Sequence, residues 1–210
     1  MTMESFKSGF ACIVGRPNVG KSTLTNQLVG EKVAITSKRP QTTRHAIRGL
    51  VHRKDGQLIL VDTPGVHKPK TLLGSRLNDV VRDTWSEVDV AIFCVPADQK
   101  VGPGDKFIAQ ELSNASKKPK IGVVTKLDSA SQADIAERLV ELDQLGKECQ
   151  IQWQELIPVS AKTRANLDKL LDLIIPLLPE GPALYPEGIL TDEPVETMVA
   201  EFIREAALDD

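Results

Sequence analysis

Short apolar runs alternate along the chain with stretches in which apolar residues recur every three or four positions. The runs predict buried strands, and the recurring positions predict helices with one apolar face. The predicted strands are Gly9–Val14, Ala46–His52, Leu58–Val61, Val88–Val95, Lys120–Val124 and Glu155–Val159. The predicted helices are Ser22–Val29, Leu73–Trp85, Pro103–Leu112, Ser131–Leu145, Asn166–Leu178 and Glu193–Leu208. This alternation predicts an α/β fold, with a mostly parallel six-stranded sheet and helices on both of its faces.

The turn between the first predicted strand and the first predicted helix carries a phosphate-binding motif. It matches G-x-x-x-x-G-K-[ST] and reads Gly15-Arg16-Pro17-Asn18-Val19-Gly20-Lys21-Ser22, with Thr23 next on the helix. Glycines let the backbone approach a ligand, and N–H groups at a helix start attract anions. We expect the loop to bind a polyphosphate, Lys21 to reach its β- and γ-phosphates, and the Ser22 hydroxyl to ligate Mg²⁺. A glycine-rich turn that binds nothing is disfavoured by the flanking elements.

Three further polar motifs follow predicted strands at their carboxyl ends. They are Asp62-Thr63-Pro64-Gly65, Thr125-Lys126-Leu127-Asp128 and Ser160-Ala161-Lys162. The carboxyl ends of parallel strands meet at one edge of the sheet, which is where α/β folds bind ligands. The sequence therefore predicts that these motifs converge with the phosphate loop on one site.

The motif at Asp62 and the polar segment Gly30–His45 are expected at the phosphate end of this site. Asp62 would place a carboxylate beside the magnesium ion, and Gly65 an N–H group near the γ-phosphate. A plain Asp-x-Pro-Gly turn is the alternative. Of the hydroxyls Thr42 and Thr43, we assign Thr43 to the magnesium ion when a γ-phosphate is present. The alternative there is a polar loop without a ligand, as expected in the GDP state.

The motif that ends in Asp128 is expected to select the base. A carboxylate accepts well from the N1–H and the N2 amino group of guanine, whereas adenine lacks both donors and would leave Asp128 unpaired. The stem of Lys126 can lie across the purine face. Ser160, Ala161 and Lys162 suit backbone contact with the base. A solvated turn is the alternative interpretation of Asp128.

Chain length, net charge and cysteine positions limit the classes of protein to which this chain can belong. A chain of 210 residues suffices for one α/β domain and a piece of a second. The net charge of -3 lacks the basic footprint of a nucleic-acid-binding surface, so this chain alone is not expected to bind RNA. Cys12 and Cys94 lie in apolar runs and are interpreted as core residues in a reducing compartment. The sequence has neither a signal peptide nor an apolar run that could span a membrane.

The composition changes near Leu178. Residues 179–192 are rich in proline and glycine and are interpreted as a linker between domains. The helix after the linker carries an apolar stripe made of Val195, Val199, Phe202 and Ile203. A lone amphipathic helix cannot bury its own stripe, so it either packs back on the first domain or, as we favour, begins a second one. The predicted organisation is therefore a domain over 1–178, a linker over 179–192 and the first helix of a further domain over 193–210.

Together, these motifs resemble the translation-factor-related GTPases, and within them the bacterial Era family. The resemblance covers the whole chain and includes Gln41-Thr42-Thr43-Arg44-His45, a fairly specific mark of that family. It implies a P-loop GTPase domain that binds GTP and GDP, needs Mg²⁺ and hydrolyses GTP slowly, with Lys21, Thr43 and Gly65 as the catalytic residues. It also implies K⁺ beside Asn18. The fourth motif starts with Thr125, where the family usually has asparagine, but selection by Asp128 is expected to survive.

The family resemblance also implies partners. Era proteins bind the 3′ end of 16S rRNA through a C-terminal KH domain and act in maturation of the small ribosomal subunit. That domain is expected to be mostly missing here, because no Gly-x-x-Gly loop follows residue 190. A cytoplasmic monomer, with peripheral contact at the inner face of the cell membrane, is expected as well.

Three alternatives stay open at this point. The chain is instead an ATP-using metabolic kinase, a binding module that does not hydrolyse GTP, or an Era-like GTPase with a non-ribosomal client. Val66 stands where Ras-like enzymes carry a catalytic glutamine, and no motif side chain is an evident general base. Slow intrinsic turnover is therefore expected if the chain is a GTPase.

Overall fold

The computed structural model describes residues 6–36, 47–64 and 81–209, and its centre is a six-stranded sheet in the order β2-β3-β1-β4-β5-β6. Neighbouring strands run parallel, except for the antiparallel hairpin of β2 and β3. The predicted fold class is therefore confirmed. The strands are β1 Lys7–Val14, β2 Ile47–His52, β3 Gly56–Asp62, β4 Val90–Pro96, β5 Lys120–Thr125 and β6 Trp153–Pro158.

Helices alternate with the strands and continue after the last strand, as the sequence pattern predicts. They are α1 Lys21–Val29, the described part of α2 at residues 81–87, α3 Pro103–Ala115, α4 Gln132–Glu148, α5 Leu167–Ile174 and α6 Val195–Asp209. The rest of the predicted helix Leu73–Trp85 lies outside the described residues. Helix α5 passes into a 3₁₀ turn at Ile175–Leu177 and so ends before the predicted Leu178. Pro176 explains this, because its ring removes an N–H donor and clashes with the preceding turn.

The core has two layers, one on each face of the sheet. Leu24 of α1 and Leu170 of α5 belong to one apolar cluster, whereas Ile108 of α3 and Leu142 of α4 belong to the other. The central strands β1, β3, β4 and β5 are almost fully buried, which is typical of a sheet covered on both faces. This packing fixes the carboxyl ends of β1, β3, β4 and β5 at one edge.

Residues 179–192, which we call the C-terminal strap, are hydrogen-bonded to β1, β2 and β3. The Ser8 N–H donates to the Pro179 carbonyl oxygen at 3.0 Å, and the Leu50 N–H donates to the Leu190 carbonyl oxygen at 2.9 Å. The buried Gln57 accepts from the backbone N–H groups of Leu184 and Tyr185 at 2.7 and 2.9 Å. Residues 179–192, although their composition is typical of a flexible linker, therefore hold a defined position against the sheet.

Helix α6 follows the strap and touches the segment that leaves α1. The Lys32 ammonium group lies 5.4 Å from the centre of the Phe202 ring and forms an ion pair with Glu205. Three members of the predicted apolar stripe face solvent: Val195 is 71% exposed, Val199 50% and Ile203 67%. The helix thus packs back through Phe202 and Glu205 and leaves most of its stripe uncovered by the described residues. None of the described helices has the length and apolar character needed to cross a bilayer.

Candidate nucleotide site

The phosphate loop joins β1 to α1 and needs unusual backbone conformations. Asn18 has φ 63° and Gly20 has φ 97°, both in the left-handed region. A Cβ atom at Gly15 would lie 2.6 Å from the carbonyl oxygen of Cys94, so this position admits only glycine. Helix α1 begins at Lys21 and has no acidic residue in its first turn. The positive end of the helix is therefore left for an anionic ligand.

The side chain of Lys21 packs against the phosphate loop. It is buried, and its Nζ atom donates to the carbonyl oxygen of Arg16 at 3.0 Å. Burial lowers the pKa of Lys21, and the charge of Asp62 opposes that shift. A phosphate ligand would replace the lost hydration of this ammonium group and favour its charged form.

The structure brings Ser22 and Asp62 together at the end of β3. The Ser22 hydroxyl donates to a carboxylate oxygen of Asp62 at 2.6 Å, and Asp62 is fully buried. The neighbouring Thr63 hydroxyl donates to the Ile13 carbonyl oxygen at 3.0 Å, which ties the end of β3 to β1. Hydroxyl and carboxylate oxygens are hard ligands that suit Mg²⁺, so this pair fits the predicted ion. Pro64 ends the described part of this motif, whereas the predicted residues Thr43 and Gly65 lie outside the described residues.

A cavity of about 290 Å³ adjoins the loop, and three of the predicted motifs meet there. It lies beside the first turn of α1, from which Thr23 and Leu24 contribute to its lining. Ser160 and Asp62 lie just outside its lining, and each contacts a predicted site residue. The residues that line it are Gly20, Thr23, Leu24, Thr125, Lys126, Asp128, Ser129, Val159, Ala161 and Lys162.

The orientation of Asp128 depends on Ser160. The Ser160 hydroxyl is fully buried and donates to Asp128 Oδ1 at 2.6 Å. This hydrogen bond is the main reason that the pKa of Asp128 lies below its ordinary value. The sequence suggested only backbone contact from Ser160 to the base, so the role of its side chain was missed. A serine placed after a strand end was the available signal, but its partner lies 32 positions away.

Thr125 ties the phosphate loop to the base motif. Its hydroxyl lies 2.6 Å from the carbonyl oxygen of Val19 in the loop and 3.3 Å from that of Val95 in β4. Threonine therefore provides a contact between the motifs where the family usually has asparagine. Lys126 adopts φ 59°, and its ammonium group lies 3.4 Å from Asp98.

Asn26 is a further residue of interest that sequence reasoning missed. Its Oδ1 atom accepts from the backbone N–H groups of Val33 and Ala34 at 3.0 and 2.8 Å, and its Nδ2 atom donates to the Ala34 carbonyl oxygen at 2.7 Å. Asn26 stands one turn after Ser22 on α1. It therefore links the helix of the phosphate loop to the start of the polar segment.

Comparison with known proteins identifies the family of this chain. Residues 10–126 match a family model described as 50S ribosome-binding GTPase. GTPase Era of Streptomyces coelicolor is 67% identical over 203 residues, which are 97% of this chain and 64% of that protein. GTPase Era of Mycolicibacterium paratuberculosis is 56% identical over 208 residues, which are 99% of this chain and 68% of that protein. The chain belongs to the Era family of GTPases. It spans about two thirds of the length of these relatives.

Two solved Era structures have the same fold as this chain. One is a crystal structure of Era in complex with MgGDPNP and nucleotides 1506–1542 of 16S ribosomal RNA. Its TM-score is 0.88 and its sequence identity is 38%, over 96% of this chain and 67% of that chain. The other is a variant of Aquifex aeolicus Era bound to GDP·AlF4⁻, with a TM-score of 0.87, the same identity and the same coverage. Each of these relatives holds a guanine nucleotide or its analogue.

Proposed function

We propose that this Era-family chain is a GTP-binding switch that hydrolyses GTP slowly and acts in maturation of the small ribosomal subunit. The observation that carries the proposal is the Ser160–Asp128 pair, which aims an ionised carboxylate at a cavity beside a phosphate loop. Such a carboxylate pairs with both N–H donors of guanine. An adenine base would leave it unpaired, and sites of this kind reject the wrong ligand by roughly four orders of magnitude.

The phosphate end of the site supports binding of a magnesium nucleotide. Loop N–H groups and Lys21 would hold the phosphates, while Ser22 and Asp62, with Thr43 as the remaining predicted ligand, would hold the ion. Bound Mg²⁺ neutralises charge on the phosphate oxygens. We propose that Lys21, Thr43 and the Gly65 N–H group stabilise the charge that develops on the transferred phosphoryl group.

Hydrolysis would proceed by attack of water on the γ-phosphorus, with rupture of its bond to the oxygen that bridges to the β-phosphate. Val66 stands where Ras-like enzymes carry a catalytic glutamine, and no side chain of the motifs is an evident general base, which supports slow turnover. Asn18 is exposed at the loop with φ 63°. We propose that it helps to hold K⁺ beside the phosphates, so that turnover is faster in KCl than in NaCl. Equal rates in the two salts would contradict this assignment.

The ribosomal client is proposed from the Era complex with a fragment of 16S ribosomal RNA. The exposed residues Val195, Val199 and Ile203 support the proposal that α6 begins a KH domain after a first domain over 1–178 and the strap. This chain alone is not expected to bind RNA. A monomeric state, cytoplasmic location and peripheral contact with the inner face of the membrane stay predictions.

Fluorescent GDP and ADP titrations, followed by single-turnover hydrolysis of GTP with and without Mg²⁺, test the nucleotide chemistry. We expect binding of GDP but not ADP, and slow release of phosphate only with Mg²⁺. Preference for ADP would favour a metabolic kinase, whereas GTP binding without hydrolysis would favour a pure binding module. A longer chain that carries the KH domain should bind the 3′ end of 16S rRNA better with a GTP analogue than with GDP. Failure of RNA binding in both states would indicate a non-ribosomal client.

A further inference from the structure

The side chain of Arg16, inside the phosphate loop, is anchored on a different helix. Its Nε atom donates to Asp105 Oδ1 at 2.7 Å, and the Asp105 side chain is completely buried in the first turn of α3. The other oxygen, Asp105 Oδ2, accepts from the Gly102 N–H at 2.9 Å and so holds the start of α3. Both carboxylate oxygens are therefore committed, one to the helix and one to the loop.

The surface of α3 is shaped to receive this arginine. A Cβ atom at residue 104 would lie 2.8 Å from Cδ of Arg16, which is too close for an undistorted contact. Gly104 therefore leaves the space in which the stem of Arg16 lies. An arginine that merely covered the surface would need neither this space nor a buried carboxylate.

The backbone of the same residue contacts the proposed catalytic lysine. The Arg16 carbonyl oxygen accepts from Lys21 Nζ at 3.0 Å, and Arg16 directly follows Gly15, where the loop leaves β1. Fixing the Arg16 side chain on α3 therefore also fixes the carbonyl group that holds Lys21. Displacement by about 1 Å in a site of this kind reduces rates roughly a hundredfold.

We propose that Asp105, acting through Arg16, is a positioning residue for nucleotide binding, and that Gly104 leaves room for the contact. The pair holds the phosphate loop in its binding conformation before the ligand arrives. Because this inference rests on the proposed GTP-binding function, its test begins with binding by the unaltered chain. Removal of Arg16 leaves the buried charge of Asp105 without its counter-ion, and removal of Asp105 releases the half-buried Arg16 side chain. Either change loosens the loop at its first turn.

The test is a double-mutant cycle on nucleotide affinity. The variants are Arg16→Met, which keeps the stem and removes the guanidinium group, Asp105→Asn, and the two combined; Arg16→Lys is the conservative variant. The dissociation constant and dissociation rate of fluorescent GDP are measured under conditions in which circular dichroism shows each variant folded. Lys106→Met is the matched control, because Lys106 lies on the same helix and pairs with Glu148 rather than with the loop.

We expect Arg16→Met and Asp105→Asn each to weaken GDP binding about tenfold. The double variant should bind no more than about threefold more weakly than the worse single variant, because both substitutions remove the same contact. The affinity of Arg16→Lys should lie between those of wild type and Arg16→Met. The control should stay within about twofold of wild type. If the variants lower the urea midpoint but bind GDP as wild type does, the pair is only structural and the inference is wrong. If Arg16→Met does not fold, Asp105→Asn decides the matter, because its amide oxygen can still accept from the Gly102 N–H group. A wild-type chain that binds no GDP would instead overturn the proposed function.

Discussion

Thr36 donates to Glu205 Oε1 from both its backbone N–H group, at 2.9 Å, and its hydroxyl, at 3.2 Å, although Glu205 lies 169 residues further along the chain. The other oxygen of the same carboxylate pairs with Lys32. Thr36 is the last described residue before the segment in which Thr43 lies, and Asn26 holds the preceding residues Val33 and Ala34. The Glu205 carboxylate on α6 therefore binds the segment that follows α1, through Lys32 and Thr36.

Replacement of Glu205 by alanine should lower the free energy of unfolding by about 1–3 kcal/mol, because it leaves the Thr36 N–H group without its acceptor. Urea denaturation followed by circular dichroism measures the effect. Glu196→Ala, at an exposed position of the same helix, is the control and should change stability by less than about 0.5 kcal/mol. Equal effects of the two substitutions would show that the Glu205 contact contributes nothing specific.

The same contact predicts how stability depends on pH. Partial burial raises the pKa of Glu205, but the hydrogen bonds from Lys32 and Thr36 outweigh it and leave the pKa below its ordinary value of 4.5. A carboxylate whose pKa is lower in the folded state stabilises the fold above the ordinary value and loses this contribution as the pH falls through the folded value. Wild type should therefore exceed Glu205→Gln in stability at neutral pH, and the difference should shrink on acidification. A pH-independent difference in urea midpoints would contradict the assignment.

Thr125→Val should weaken GDP binding about fivefold or more, because it removes the hydroxyl that joins the base motif to Val19 and keeps the shape of the side chain. Stopped-flow release of fluorescent GDP should be faster by a similar factor. Thr125→Asn, the residue usual in the family, should bind at least as tightly as wild type. Thr163→Val, at an exposed position after Ser160, serves as the control and should leave release unchanged.

Ser160→Ala should shift the pH range over which guanine is recognised. The Ser160 hydroxyl is the main cause of the low pKa of Asp128, so its removal should raise that pKa towards its ordinary value of 3.8. Guanine needs the ionised carboxylate, and its affinity is lost as pH falls through the pKa of the free site. GDP titrations between about pH 7 and about pH 4 should show the decline beginning at higher pH in the variant than in wild type. Parallel profiles would mean that Ser160 does not tune Asp128.

The two core thiols should resist alkylation in the folded protein. Cys12 and Cys94 are fully buried, and burial raises the pKa of each to about 12. Only the thiolate is reactive, so iodoacetamide at neutral pH should label them after unfolding in urea but not before. Mass spectrometry of timed samples provides the measurement. Rapid labelling of Cys12 without denaturant would contradict the burial of β1.

The sheet and the edge that carries the site were predictable because their signals are local. Apolar runs mark buried strands, and the motifs at Gly15, Asp62 and Asp128 directly follow three of them. The supporting contacts were not predictable. The pairs Ser160–Asp128, Arg16–Asp105 and Thr36–Glu205 join residues 32, 89 and 169 positions apart. Neither periodicity nor spacing indicates which distant polar groups will meet after the layers have packed.

The hydrogen bond from the Leu50 N–H to Leu190 has a consequence for association between molecules. Strand β2 is the last strand on its side of the sheet, and an uncovered strand of this kind offers unpaired backbone groups to another chain. The strap lies along the edge of β2 and leaves fewer of its backbone groups for a strand of a second copy to pair with. Among the described residues, a chain that ended at Leu178 would keep all six strands but would lose this contact on β2. Residues composed like a spacer thus cover part of an edge strand that would otherwise be open to pairing.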